Sequence, residues 1–399
     1  MTTFESLEAL VPDFQYVDDE DDCIVLTVGL QATFYFWGGH RPDVRTSIAD
    51  CAQAYEAEYG GELRWLLQPD TQRRVDLNDG NPPSLRDCIA TLDEDDSIEW
   101  YVSSSETDES VGEYRYEIVT ERGWQEGVIS TFSFTVPREH AFDADSKSRF
   151  VRLFEFIADR LAPYHAHAGL AAVTSFEQED WQSEELDVAT RYQGLYIEAN
   201  FIDANYAVDG LKSVDWLTYI GNTLAERVGG IDRLSSSLQA RAIAIKQLRA
   251  GLLIASGKCP DIGQVENGLP PALVDINRAV RPLRNGAFGS MAFGSASGEP
   301  RFTRCTSDLW IRRFDAEGIW PPATFVGLGK EPFGRSPSRK IRLKTGDTSP
   351  IYGRYRRLDA EKPEIVLMAG DVAPYWLSLG PHGELLSRDA VVWELAAEL

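Results

Sequence analysis

The stretch DWLTYIGNTLAERVGGIDRLSSSLQARAIAIKQLRAGLLIASGKCPDIGQVENGLPPALVDINRAVRPLRN, residues 215–285, carries the densest structural signals in the chain. Trp216, Leu217, Ile220, Leu224 and Val228 recur at helical spacing behind Ser213, a residue type that caps helices. The spacing predicts a helix that ends at Gly229-Gly230, because glycine can take the left-handed conformation that closes a C-terminus. A second helix is expected over 231–239. Two strand-like runs follow, 242–245 and 252–255, with Arg249-Ala250-Gly251 as the turn between them. Pro260 and Gly263 then shape a loop, and a last helix opens near Pro270-Pro271 and ends at Arg281-Pro282-Leu283-Arg284.

Upstream, residues 23–37 (CIVLTVGLQATFYFW) read as a strand. Pro42 opens an amphipathic helix with Val44, Ile48, Cys51, Ala52 and Tyr55 on one side, ended by Gly60-Gly61. Strands are expected at 63–67, 98–102 and 114–119, with a short helix at 84–92. The order then recurs as a strand at 128–136, a helix at 146–161 and a strand at 168–174. Both halves read strand–helix–strand, then helix–strand–strand. The fold class is therefore α+β, a duplicated unit with pseudo-repeats at about 23–120 and 127–285, pictured as two sheets side by side. Residues 286–300 are rich in glycine and serine and read as a joint. Beyond them, 301–399 has short apolar runs broken by Gly and Pro, the pattern of a small β-rich domain.

The 399 residues are 43% hydrophobic, enough for a large core. No run reaches a membrane span, and the first residues lack the basic and apolar regions of a signal peptide. Five cysteines, Cys23, Cys51, Cys88, Cys259 and Cys305, have no paired spacing, which fits reduced thiols in a cytoplasmic protein. The formal net charge is −24, and residues 1–120 alone hold 27 acidic against 7 basic side chains. Such a field opposes binding to nucleic acid or anionic membrane and favours a basic partner. Acidity also serves solubility, so charge alone leaves both readings standing.

Tests for chemistry mostly fail. Gly251 to Lys258 has five residues between its glycines where a phosphate loop has four, and Cys259 stands where Ser or Thr would hold magnesium. Gly327-x-Gly329 lacks the third glycine of a dinucleotide fingerprint. His165-x-His167 puts two imidazoles on one face of a strand, but no third ligand stands at characteristic spacing, so surface or edge histidines are the expectation. Cys259 reads as structural. No catalytic residue, metal site or cofactor is expected. Two carboxylate clusters remain, Asp93-Glu94-Asp95-Asp96 and Glu106, Asp108 and Glu109. They are either solvated loops or phosphate-mimicking charges, with Trp100 and Tyr101 nearby as candidate interface anchors.

The motifs W-L-T-Y-I-G (216–221), V-G-G (228–230), L-L-I-A-S-G (252–257), C-P-D-I-G (259–263) and R-P-L-R (281–284) together resemble a bacterial family. It is the TsiV-like family of type VI secretion immunity proteins that act against VRR-type nuclease toxins. Gln264 departs from the aspartate that the resemblance leads one to expect. Trp216, Gly221, Gly229, Gly230, Gly257, Pro260, Gly263, Arg281, Pro282 and Arg284 match the motifs and read as structural. The resemblance implies a non-enzymatic inhibitor that binds a secreted nuclease and covers its active or DNA-binding cleft. An adaptor that loads a toxin onto the secretion machine, or an unrecognised hydrolase, stays open as an alternative.

Overall fold

The computed structural model describes residues 2–18, 22–68, 73–78, 82–176, 181–286, 288–292, 300–323, 334–360 and 364–399, without the side chains of 200–202. Most of the glycine-serine joint, the centre of the acidic run 18–22, and the Gly327-x-Gly329 motif lie outside the described residues.

In chain order, the first elements are α1 (Phe4–Glu8), α2 (Val11–Phe14), β1 (Tyr16–Val17), β2 (Ile24–Phe36) and α3 (Pro42–Tyr59). Next come β3 (Trp65–Gln68), β4 (Arg73–Asp76), α4 (Leu85–Ile89), β5 (Glu99–Ser103), β6 (Arg115–Val119) and β7 (Ser130–Pro137). The second half has α5 (Ala144–Leu161), β8 (His165–Thr174), α6 (Gln182–Arg191), β9 (Tyr196–Ile197) and α7 (Asn200–Tyr206). It continues through β10 (Leu217–Gly221), α8 (Asn222–Ala225), α9 (Ile231–Gln239), β11 (Ala244–Leu248), β12 (Gly251–Ala255) and α10 (Pro271–Val280). The remainder is α11 (Arg304–Ile311), β13 (Arg342–Lys344), β14 (Gly353–Arg357), β15 (Glu364–Leu367), β16 (Trp376–Leu379), β17 (Leu385–Asp389) and β18 (Val392–Glu398).

Twelve strands form one sheet in the order β11-β12-β10-β8-β2-β7-β6-β5-β3-β4, with β1 beside β2 and β9 beside β8. Only β9 runs parallel to its neighbour among these strands. The thirteen-residue β2 is inserted between β7 and β8, pairing Tyr35 with Thr131 on one side and with His165 on the other. The strands that the sequence divides between two units therefore run into one sheet, not two.

Helices α3 and α5 cover one face. Ile48, Cys51 and Tyr55 of α3 and Phe150, Phe154 and Ile157 of α5 pack on Phe34, Phe132 and Phe134. On the other face, α8, α9 and α10 place Leu224, Leu234, Leu238, Leu273 and Ile276 against Ile220, Leu252 and Ile254. This two-sided covering explains why the expected helix from Trp216 is instead the strand β10. Leu217 and Tyr219 face the first core, Ile220 faces the second, and β10 is hydrogen-bonded to β8 and β12. A strand apolar on both faces gives a continuous hydrophobic run that periodicity does not separate from a buried helix. The helical part starts only at Asn222, and Gly229, at φ +97°, closes the turn that follows. The helix at 231–239 and the hairpin around Arg249-Ala250 form as expected.

The C-terminal region is β-rich, so the α+β class with a small β module stands. Strands β13-β18-β14-β15 are antiparallel around Leu343, Tyr355, Ile365, Leu367 and Trp393, and β16 and β17 form a separate hairpin. Helix α11 lies apart from this small core. Its Leu309, Trp310 and Ile311 pack with Ala171, Ala172 and Tyr196 of the large sheet. No helix among the described residues is long and apolar enough to cross a membrane.

Candidate functional site

The central strands bury polar side chains on their second face, and the two histidines lie among them. His165 and His167 share one face of β8, as the spacing requires, but the expectation of surface or edge positions is wrong. Each is about 1% exposed in the middle of the sheet. The His165 ring stacks on Tyr35 (4.3 Å between centroids), and the His167 ring packs tilted against Tyr196 (3.9 Å). Burial pushes the His165 imidazole down to about 3 and His167 well below its usual range, which keeps both neutral at physiological pH. Below them, Asp203 Oδ2 accepts hydrogen bonds from Tyr35 (2.6 Å), Tyr196 (3.0 Å) and Lys212 Nζ (2.8 Å). Burial raises the Asp203 carboxyl and lowers the Lys212 ammonium, and their mutual attraction opposes both shifts. Among the described residues no group of three or more His, Cys, Asp and Glu is placed to hold a metal. The layer is enclosed: His165 Nε2 donates to the Ala207 carbonyl at 3.1 Å, and among the described residues His167 Nε2 has no hydrogen-bond partner.

The exposed chemistry lies at one end of the sheet. There the loop after β2, the loops 92–98 and 120–129, and the turn between β16 and β17 converge. Asp93, Glu94, Asp95 and Asp96 are all exposed, on a backbone that is firmly held. The Arg45 guanidinium, buried on α3, donates to the carbonyls of Leu92 (3.2 Å) and Asp96 (2.7 Å). Asp96 Oδ2 accepts from Asp93 N, and Asp93 Oδ1 accepts from Asp95 N, both at 2.9 Å. Gly123 N donates to the Glu94 carbonyl at 2.7 Å, which docks the 120–129 loop against the acidic one. Beside it, Trp124 is 62% exposed. In the sequence nothing marks this residue beyond its being a lone tryptophan in a loop rich in polar residues and glycine.

Beneath the loops, Glu121 is 2% exposed. Its Oε1 accepts from Gly38 N (2.6 Å) and Gly39 N (2.8 Å), and Ser130 Oγ donates to its other oxygen. A side chain at Gly39 would meet Ser130 Oγ at 2.2 Å, so this close approach requires glycine. His40 Nδ1 lies 3.5 Å from the carboxylate, and the His40 ring sits 5.1 Å from that of His382 on the C-terminal turn. Burial lowers the His40 imidazole, and it pushes the Glu121 carboxyl up to about 7 although the Gly39 and Gly38 amides favour its charge.

The raised Glu121 carboxyl makes stability fall as pH rises. Between about pH 4.5 and 7 the native Glu121 holds a proton that the unfolded chain has released, so its contribution is full below 4.5 and fades as pH rises through 7. The shift corresponds to about 3 kcal/mol. Asp215, also raised to about 7 by burial, acts in the same direction, while the two buried histidines act oppositely. Comparison with Glu121→Gln isolates the term. Denaturation at pH 4.5 and pH 8 should find that the wild type loses about 3 kcal/mol relative to the variant. A pH-independent difference would refute the assignment.

The other predicted residues are placed differently. Trp100 and Tyr101 are core residues and cannot anchor an interface as they stand. Adjacent positions of a strand point to opposite faces, and here both faces are covered. Trp100 donates to Tyr116 Oη at 3.1 Å, and Tyr101 packs on Trp65 and Phe176. Glu106, Asp108 and Glu109 are exposed, but they follow β5 whereas Asp93–Asp96 precede it. About 16 Å of strand separates the two clusters, so they form no single patch. Glu106 is also paired with Arg64 at 3.1 Å.

Of the motif residues, Trp216, Gly221, Pro260, Gly263, Arg281, Pro282 and Arg284 are buried, Gly229 and Gly230 are half-buried, and Gly257 is exposed. The indole of Trp216 donates to the Gly257 carbonyl at 3.0 Å. Gly221 ends β10, Gly229 and Gly230 lead into α9, and Pro260 and Gly263 shape the loop that holds Gln193 N. Arg281 binds Asp371 (2.7 and 3.0 Å), with Pro282 buried beside it. Both Nη atoms of Arg284 bind Asp315 at 2.8 Å.

The model of TsiV, described as type VI immunity for VRR-NUC, matches residues 47–314. The chain belongs to that family. The TsiV match runs from α3 through α11, spans all five motifs and stops one residue before Asp315. Among solved structures, the fold is similar to the Pseudomonas aeruginosa T6SS protein PA0821, with TM-score 0.69 and 27% identity over 76% of this chain and 88% of that one. No curated protein matches.

Proposed function

We propose that this TsiV-family chain neutralises a VRR-NUC effector in the cytoplasm by binding it and covering its active or DNA-binding cleft, without chemistry. Membership of an immunity family for VRR-NUC carries the reading. The acidic sheet end supplies its physics. A nuclease cleft holds phosphates with Lys and Arg, so an acidic inhibitor gains steered association and competes with DNA. Asp93–Asp96 on a fixed backbone offer the charge, and the exposed Trp124 offers the aromatic anchor that charge alone lacks.

Purified chain and effector should form a stoichiometric complex in which the nuclease is silent and chemically unchanged. Replacing Asp93, Glu94, Asp95 and Asp96 by Asn or Gln should slow association at low salt and leave dissociation nearly as it was. Trp124→Ala should speed dissociation about 30-fold, the effect of an interface anchor of about 2 kcal/mol. Substituting Glu106, Asp108 and Glu109 should act in the same direction as the first set but more weakly. A nuclease still active in the complex would sink the inhibitor in favour of an adaptor, and an effector recovered chemically altered would sink it in favour of an enzyme. Unchanged kinetics in all variants would move the binding face elsewhere.

A further inference from the structure

In a chain with a net charge of −24, one groove is lined by four arginines. It lies where α9 and the end of α10 meet the C-terminal module, and it encloses about 210 Å³. Arg233 and Arg241 project from α9 and the turn after it, Arg278 from α10, and Arg227 from the turn that precedes α9. The opposite wall is Gly346 and the 370–375 segment, whose Tyr375 N donates to the Arg227 carbonyl at 3.0 Å.

The charges in this groove are poorly compensated. Asp371 is the one carboxylate among the lining residues, and it is already bound to Arg281. Arg278 lies 3.5 Å from Asp275. Among the described residues, Arg227, Arg233 and Arg241 make no ion pair with a carboxylate. Arg227 is 5% exposed, donates from Nη1 to the Asp209 carbonyl at 2.6 Å, and leaves its Nε without a hydrogen-bond partner. A buried guanidinium donor with no partner is costly, and three like charges around one concavity repel one another. The second deficit is removed by a multiply charged anion in the groove.

We propose that this groove binds a small phosphate-bearing ligand with at least two negative charges, of pyrophosphate size. Guanidinium forks match phosphate oxygens in pairs, and a singly charged carboxylate leaves most of the positive charge uncompensated. The site adds to the family's toxin-directed role and does not rest on it. The ligand spans the seam between the large sheet and the C-terminal module, so binding also stiffens that seam.

Pyrophosphate, ADP and citrate titrated calorimetrically into the full chain test the site. Pyrophosphate or ADP should bind one-to-one with a dissociation constant below about 1 mM. Equal affinities identify a free polyphosphate and a tighter ADP identifies a nucleotide. Arg233→Gln with Arg241→Gln, both exposed positions, should weaken that binding at least tenfold while the denaturation midpoint without ligand stays unchanged. Arg152→Gln on α5 should leave it as it was. The proposal is overturned if neither phosphate ligand binds saturably, if citrate binds more tightly than both, or if the double substitution has no effect.

Discussion

Lys212→Met is expected to lower the unfolding free energy by about 3–5 kcal/mol, the range for removing one partner of a buried ion pair. Lys212 and Asp203 are both fully buried. The ammonium donates to the Ile197 carbonyl and to Asp203 Oδ2, each at 2.8 Å, and lies 4.6 Å from the Tyr196 ring. Methionine fills much of the volume but supplies no cation, so Asp203 keeps only the two tyrosine hydroxyls. The loss comes mainly from a carboxylate stranded in a low-dielectric interior and not from the pair's own net value. Lys212→Met combined with Asp203→Leu should therefore be less destabilised than Lys212→Met alone. Urea denaturation of both variants checks this, and a loss under about 1 kcal/mol for the single variant would show that the pair is unimportant.

The second large effect is expected at Asp315. Its carboxylate receives both Nη atoms of Arg284, Asn277 Nδ2 (2.7 Å) and Tyr352 Oη (2.7 Å), with Arg281 Nη1 at 3.5 Å. Burial alone would raise its proton affinity, but Arg284 and its other donors hold it well below the usual carboxylate range. Asp315→Ala leaves Arg284 buried without its carboxylate and should again cost about 3–5 kcal/mol. The cluster joins α10 and the R-P-L-R turn to Tyr352 on the β-rich side. We propose on this basis that residues 304–315 belong with the large sheet, and that a unit boundary follows them. After proteolysis between residues 286 and 301, the peptide holding 304–315 should stay with the N-terminal fragment. In Asp315→Ala it should be released. Release from the wild type as well would return the boundary to 286–300.

The sequence was legible where one face of an element meets water. Helices α3 and α5 expose a polar stripe, so Pro42, Ile48 and Tyr55, or Phe150, Phe154 and Ile157, revealed their period directly. It was ambiguous where a strand buried on both faces is short and runs directly into a helix, which is why the five-residue β10 read as the start of a helix from Trp216, whereas the equally buried but longer β2 and β7 read as strands. The short elements α6, β9 and α7 gave too few periodic positions, and Arg73–Asp76 is a charged edge strand without alternation. At the candidate site, the exposure of Asp93–Asp96 followed from composition. The burial of Trp100 and Tyr101, and the prominence of Trp124, did not. An aromatic residue looks the same in a sequence whether a neighbouring strand covers it or not, and that cover comes from residues far along the chain.

The position of β2 has a consequence for synthesis. Its neighbours are β7 and β8, so residue 35 waits for residues 131 and 165 before either of its sides is closed. As the chain leaves the ribosome, thirteen residues of strand emerge early, and of the first hundred residues only the two-residue β1 pairs with them, at the Ile24–Leu26 end, so most of both edges stays open. Folding must proceed almost at once and late, from contacts of high sequence separation, which slows it. A fragment ending near residue 120 should be insoluble or captured by chaperones, and the segment from 127 onward should fare no better alone. Protection of the cell would then begin only after most of the large sheet has been translated.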